Sequence, residues 1–192
     1  MGRAAEFDRD KVIDEAIRIF ARHGFAAAST ADLVDGMGIG RQSLYGAFGD
    51  KHGLFLEALR RYSTASLDRM RDALSGKSAI RALESAVLID LGSADDIESG
   101  CLGVGSIAEF GRSDPDINAL NDQAGRAVLS AFAERVRLGV AAGELDDSLD
   151  PDAVGGMLLT LRSGLKIAAR SGAALKDLRV TARLAMRGLN AR

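Results

Sequence analysis

Apolar residues recur along this chain at the three-and-four spacing of helices. Ile13, Ala16, Ile17, Phe20 and Ala21 form one stripe and predict a first helix from about Asp8 to His23. Acidic residues in its first turns and Arg22 near its end suit the helix dipole. Gly24 then predicts a stop. "STADLVDGMG" predicts a short second helix, with Ser29 as N-cap, Asp32 three residues on, and Leu33 and Val34 facing the core. After Gly38 and Gly40 a third helix is expected over 41–48. Asp50 caps a long fourth one carrying Leu54, Phe55, Ala58, Leu59 and Tyr62 and continuing to about Leu74. Further helices are expected near 78–92, 101–111, 115–142, 151–171 and 174–189. Asp114-Pro115 and Asp150-Pro151 place an aspartate N-cap before a proline at the first helical position. Alanine, leucine, arginine and acidic residues dominate, and β-branched and aromatic residues are sparse, so the expected class is all-α.

The stretch "MGIGRQSLYGAFGDK", Met37 to Lys51, is unusual because glycines surround and enter a short helical pattern. A glycine turn ahead of the third of three helices is the layout of a helix-turn-helix, whose third helix lies in the DNA major groove. At 100° per residue Leu44 and Phe48 define the buried side, and Gly46 centres the opposite one beside Gln42, Ser43 and Tyr45. A glycine there costs about 1 kcal/mol of helix propensity. That cost has a reason if the bare backbone approaches a base edge or a phosphate. Gln42 has the amide geometry for adenine, and Arg41 reaches guanine or phosphate. Ser43 and Tyr45 are candidate phosphate donors. Lys51, at the start of the fourth helix, is poorly placed for the dipole but well placed to share a phosphate with the amides there, as are Ser29 and Thr30 at the start of the second. Singly, each of these is an ordinary surface residue; the joint pattern is the specific signal.

Net charge is −2, and residues 1–62 hold nine basic and nine acidic residues, so DNA binding has to come from a local surface rather than a global field. The single cysteine, Cys101, excludes an intrachain disulfide, and with two histidines it leaves no zinc site of the usual kind and no metal expected. No signal peptide and no apolar run of spanning length is apparent, so a cytoplasmic protein with no membrane partner is expected. No paired carboxylates, nucleophile–base pair or phosphate loop stands out. No catalytic residue, enzyme activity or cofactor is expected.

Residues 8–62 resemble the TetR family of transcriptional regulators. The likeness rests on Phe20, Gly24-Phe25, Ser29-Thr30, Gly38-Ile39-Gly40, Leu44-Tyr45-Gly46-Ala47-Phe48 and Lys51. It implies an all-helical homodimer with a DNA-binding domain over 1–53 and a ligand-binding and dimerisation domain over 54–192. The partners implied are double-stranded palindromic operator DNA and a small-molecule inducer. It also implies that Tyr45 and Lys51 touch the phosphate backbone while Arg41, Gln42, Ser43 and Gly46 lie at or near the bases. Two departures stand out: Gly40 replaces the usual serine of the turn, and Gly46 and Ala47 are small where the family often carries large residues. "GCLGVGSIAEFGRSDPDI" is similar to a Gly-Cys-Leu segment of a subset of these regulators.

For the C-terminal part, Leu158, Leu161, Leu165 and Ala168, with Leu178, Ala182, Ala185 and Leu189, are the expected dimer stripes of the last two helices. Leu67, Met70, Cys101, Leu102, Ile107, Phe110, Leu120 and Met157 are the pocket candidates, with plain core packing as the alternative for each. Glu109, a lone acid in an apolar segment, faces either a polar ligand or water. Cys101 is either an inert core thiol or a sensor favoured by its place at a helix start. The expected function is a ligand-responsive regulator, a repressor released from its operator by inducer. The competing expectation is a small-molecule-binding protein or enzyme with a vestigial DNA-binding module, motivated by the neutral N-terminal charge.

Overall fold

The computed structural model describes residues 7–91 and 100–190. Among these the chain is all-helical: α1 (Arg9–Ala27), α2 (Thr30–Met37), α3 (Arg41–Phe48), α4 (Lys51–Leu74), α5 (Ala79–Leu88) with a 3-10 turn Ile89–Leu91, α6 (Leu102–Phe110), α7 (Pro115–Ala141), α8 (Pro151–Arg170) and α9 (Leu175–Arg187). The last residue of the helix expected near 78–92 lies outside the described residues.

Local chemistry accounts for the boundaries. Asp8 starts α1 by accepting from the Asp10 and Lys11 amides, and Ser29 and Asp32 form a reciprocal capping box at α2. Asp114 accepts from the Asp116 and Ile117 amides at 3.1 and 3.0 Å, and Asp150 accepts from those of Asp152 and Ala153, so both Asp-Pro pairs start helices as expected. Gly24 interrupts α1 rather than ending it. It takes a non-helical φ of 80° and ψ of 174°, and the helix then resumes for one turn to Ala27. The stripe in the sequence stopped at Ala21 and carried no sign of that extra turn.

The described residues pack into two compact units, 7–64 with 100–121, and 65–91 with 122–190. These packing units differ from the functional division expected at 53/54. The first half of α4, α6 and the start of α7 bury Leu54, Phe55, Leu59, Leu102 and Ile117 in the same core as Phe20, Leu33, Leu44 and Phe48. Four phenylalanines hold that core: Phe25 and Phe110 lie 5.2 and 5.5 Å from the Phe55 ring, and Phe20 meets Phe55 edge-on at 5.0 Å.

The second unit has its own core around Met70, Leu83, Phe132, Val136, Leu158 and Ala182. Buried within this unit, Arg162 and Lys166 both bond the Asp90 carboxylate, which also accepts from Arg69 at 3.2 Å. Arg162 further donates to Ser66 at 2.9 Å, while its Nε is buried without a hydrogen-bond acceptor. Burial raises the carboxyl of Asp90, but the charges of Lys166 and Arg162 outweigh it and hold the group below its ordinary range.

The expected dimer stripes turn out to face inward. Leu158, Leu165, Leu178, Ala182 and Leu189 are buried in the protomer's own core, and Leu161, Ala168 and Ala185 pack against it. The periodicity had located the apolar face of each helix correctly. Five of the eight residues are consumed in that core, and Leu161, Ala168 and Ala185 stay part-exposed. The apolar residues that α8 and α9 leave in solvent are Met157, Ile167, Val180 and Leu184, the last 66% exposed.

Candidate nucleic-acid interface

Leu44 and Phe48 anchor α3 in the core of the first unit, and this sets which side faces out. Arg41, Gln42, Ser43, Tyr45 and Gly46 are all exposed, as the helical wheel predicted. A Cβ built on Gly46 meets no atom within 4 Å. Packing within the protomer therefore does not require glycine at this position.

The junction behind α3 is tightly built. Gly49 turns the chain at a φ of +79°, and Asp50 caps α4 by accepting from the Gly53 amide at 2.7 Å. A Cβ on Gly53 would lie 2.1 Å from the Phe48 carbonyl oxygen, so α4 begins against the last carbonyl of α3 with no room for a side chain. Arg9 braces the same end. Its guanidinium bonds both Glu57 oxygens at 2.6 and 2.8 Å, donates to the Ala47 carbonyl at 3.3 Å and lies 4.5 Å over the Phe48 ring. Arg9 sits 38 residues before Ala47, so no local spacing in the sequence signalled this brace.

Ion pairs take up many of the charges of residues 1–62, which hold equal numbers of basic and acidic residues. Arg9 is matched by Glu57, and Arg61 by Asp10 and Asp14 at 2.8 and 2.7 Å. Lys11 and Arg18 pair with acids three residues away. These pairs take up most of the acidic residues of α1 and one of α4. The α3 segment RQSLYGAF carries one arginine and no acid, and Arg41 has no ion pair among the described residues.

The remaining candidates divide. Thr30 opens α2 and is half-buried. Ser29 accepts from the Asp32 amide at 3.1 Å and donates its hydroxyl to the Asp32 carboxylate at 2.6 Å. Its one hydroxyl proton is therefore committed to the cap in this structure. These bonds from Ser29 also hold the Asp32 carboxyl below its ordinary range, so Asp32 keeps its charge. Lys51 occupies the first position of α4; its ammonium lies 4.5 Å over the Phe25 ring and 3.5 Å from the Ala26 carbonyl. An ammonium has three donors, and the carbonyl takes one.

The pocket candidates fall into two cores. Leu67 and Met70 belong to the second core, whereas Leu102, Phe110 and Leu120 belong to the first. Ile107, 56% exposed, and Met157 face solvent and line no interior surface. On α6 the inward positions are Leu102, Ser106 and Phe110, and Ile107 is one residue out of phase. Cys101 caps α6 through its sulfur, which accepts from the Val104 amide at 3.5 Å and from the Tyr62 hydroxyl at 3.1 Å. Glu109 is exposed, and its carboxylate accepts from the Phe25 and Ala26 amides. Among the described residues no helix is long and apolar enough to cross a membrane.

Comparison with known proteins agrees with this geometry. The family described as "Bacterial regulatory proteins, tetR family" matches residues 12–58, from α1 into α4. The chain is 30% identical over 185 residues to the HTH-type transcriptional repressor ComR of Escherichia coli K12, covering 92% of this chain and 86% of ComR. It is 28% identical over 187 residues to the HTH-type transcriptional repressor BdcR of the same organism, covering 96% and 90% of the two chains. Among solved structures, a cysteine-substituted CifR in complex with 26-bp double-strand operator DNA superimposes with a TM-score of 0.81 at 30% identity, covering 97% of this chain and 98% of CifR.

Proposed function

The chain belongs to the TetR family of DNA-binding transcriptional regulators, and from that premise we propose that it is a homodimeric repressor released from a palindromic operator by a small-molecule inducer. Residues 1–53 bind DNA in this reading, and residues 54–192 bind the inducer and dimerise. The protein works in the cytoplasm, beside the chromosome.

The observation that carries the reading is the outer face of α3, where every side chain is exposed and the centre, Gly46, is bare for a reason that packing does not supply. With α3 in the major groove, Gln42 pairs with an adenine edge and Arg41 with guanine or phosphate. Ser43 and Tyr45 reach the backbone, and Gly46 lets the helix seat closely. Lys51 and Thr30 hold flanking phosphates, the latter by its place at the α2 N-terminus. Ser29 contributes by capping α2. Two α3 helices about 34–36 Å apart meet successive grooves on one side of the duplex.

For the dimer, the exposed apolar side chains of α8 and α9 (Met157, Ile167, Val180 and Leu184) replace the buried stripes. Two such helices from each protomer make a four-helix bundle about a twofold axis. Inducer and operator oppose each other because each selects a different dimer state. Repression is the favoured direction because ComR and BdcR are repressors and a regulator with the same operator-binding unit needs only occupancy to repress.

A mobility shift with the DNA flanking this protein's own gene, over a salt series, tests the reading. A specific shift whose affinity falls steeply with salt is expected. Lys51→Ala should weaken operator and random duplex alike, and Gln42→Ala should relax selectivity at one base pair. Absence of any salt-sensitive shift sinks the proposal.

A further inference from the structure

The break in α1 leaves a local problem. Residues 25–27 restart the helix after Gly24, so the Phe25 and Ala26 amides head a new turn with no carbonyl one turn back. An N-cap side chain ordinarily supplies the acceptor. Gly24 has none. Glu109 of α6 supplies it from 84 and 83 residues away, accepting from the Phe25 amide at 2.7 Å and from the Ala26 amide at 2.6 Å. A Cβ on Gly24 would stand 2.9 Å from the same carboxylate, so the missing side chain admits the distant cap as well as permitting the positive φ of 80°.

The turn is gripped from its other side by Lys51, whose ammonium meets the Ala26 carbonyl at 3.5 Å and the face of Phe25 at 4.5 Å. Phe110, the neighbour of Glu109, packs on Phe25 at 5.3 Å and keeps α6 in register with the turn. One residue, Ala26, thus bonds Glu109 through its N–H and Lys51 through its C=O, and the chain enters α2 a few residues later.

We propose that Glu109 is a positioning residue for DNA binding: by capping the turn after Gly24 from α6, it fixes Lys51 and the start of α2 where they meet the phosphate backbone. The inference rests on the operator-binding reading above. Its sign is opposite to the plain Coulomb expectation. Neutralising an acid in a DNA-binding unit ordinarily tightens binding, because DNA is polyanionic. Loss of Glu109 should weaken it.

The test is Glu109→Gln, which keeps size but sets an amide N–H against backbone N–H groups. Binding of operator and of random duplex is measured by fluorescence anisotropy over a salt series. Removing one lysine–phosphate pairing should lower affinity about fivefold at about 0.15 M salt and flatten the log–log salt slope by about 0.9. The expected result is weaker binding to both duplexes by a similar factor with a flatter slope; a purely structural role would lower the active fraction and leave the slope alone. Unchanged or tighter binding by a folded variant overturns the proposal. Should the variant not fold, amide exchange in the wild-type operator complex decides. Slow exchange at Phe25 and Ala26 is expected, and fast exchange there within a protected α1 overturns the idea. If the wild-type protein shows no salt-dependent binding, the operator reading itself falls. If it binds and Glu109→Gln matches it, only Glu109 loses its role.

Discussion

Gly46→Ala separates what α3 needs for folding from what it needs for DNA. Gly46 is the sixth residue of an eight-residue helix, is exposed, and has no atom within 4 Å of where a methyl would stand. The substitution breaks no packing and creates no clash, so the change in stability is the helix propensity difference, about 0.8–1 kcal/mol in favour of alanine. Position near the helix end trims this to about 0.5–1 kcal/mol, because terminal turns fray. Urea unfolding should show a higher midpoint with an unchanged m-value. The same methyl stands between the α3 backbone and the base edges. If it pushes one bidentate pairing out of reach, about 1–3 kcal/mol of discrimination disappears, roughly fivefold to over a hundredfold in operator affinity. Anisotropy titrations with operator and random duplex measure this. The expected variant is more stable and a poorer operator binder. A less stable Gly46→Ala protein would show that packing does demand the glycine. An operator affinity equal to wild type would show that this face does not seat against the bases.

Asp90→Asn should cost about 3 kcal/mol in urea unfolding, because it leaves Arg162 and Lys166 buried without their shared carboxylate; a loss under about 1 kcal/mol would mean the cluster is well solvated. Because the Asp90 carboxyl is held below its unfolded value, its contribution is fully present above about pH 4 and is lost as pH falls through the lower folded value; wild-type stability should drop there and that part of the drop should vanish in Asp90→Asn. Gly53→Ala, whose Cβ would meet the Phe48 carbonyl at 2.1 Å, should destabilise by about 1–3 kcal/mol through overpacking, visible as a lower urea midpoint. Leu184→Asp, on an exposed side chain, should leave protomer stability within about 0.5 kcal/mol while sedimentation shows the dimer weakened; an undisturbed dimer would place the interface elsewhere.

Element boundaries and the outward side of α3 were legible in the sequence because local rules govern them. Asp8, Ser29, Asp114 and Asp150 announce helix starts, and Leu44 and Phe48 orient α3 within eight residues. What the sequence hid depends on partners distant along the chain. Arg9 braces Ala47 and Glu57, Glu109 caps a turn 84 residues away, and Arg162 reaches Ser66 across 96 residues. No periodicity encodes such pairs. The burial of the expected dimer stripes has a different reason. In a two-sided helix the more regular apolar stripe is the one the protomer buries first, so Leu158 and Leu178 went inside while Leu184, which breaks the stripe, stayed out. The pocket candidates mixed residues of two cores because apolar character alone does not say which core a residue joins.

The central claim is that two copies of α3 seat in major grooves one helical turn apart. Hydroxyl-radical footprinting of the wild-type protein on its operator reads this directly, without altering either surface. Two symmetric protected blocks centred about 10–10.5 bp apart, or a whole multiple of that spacing, are expected. Protection without twofold symmetry, or blocks out of phase with the helical repeat, would contradict it.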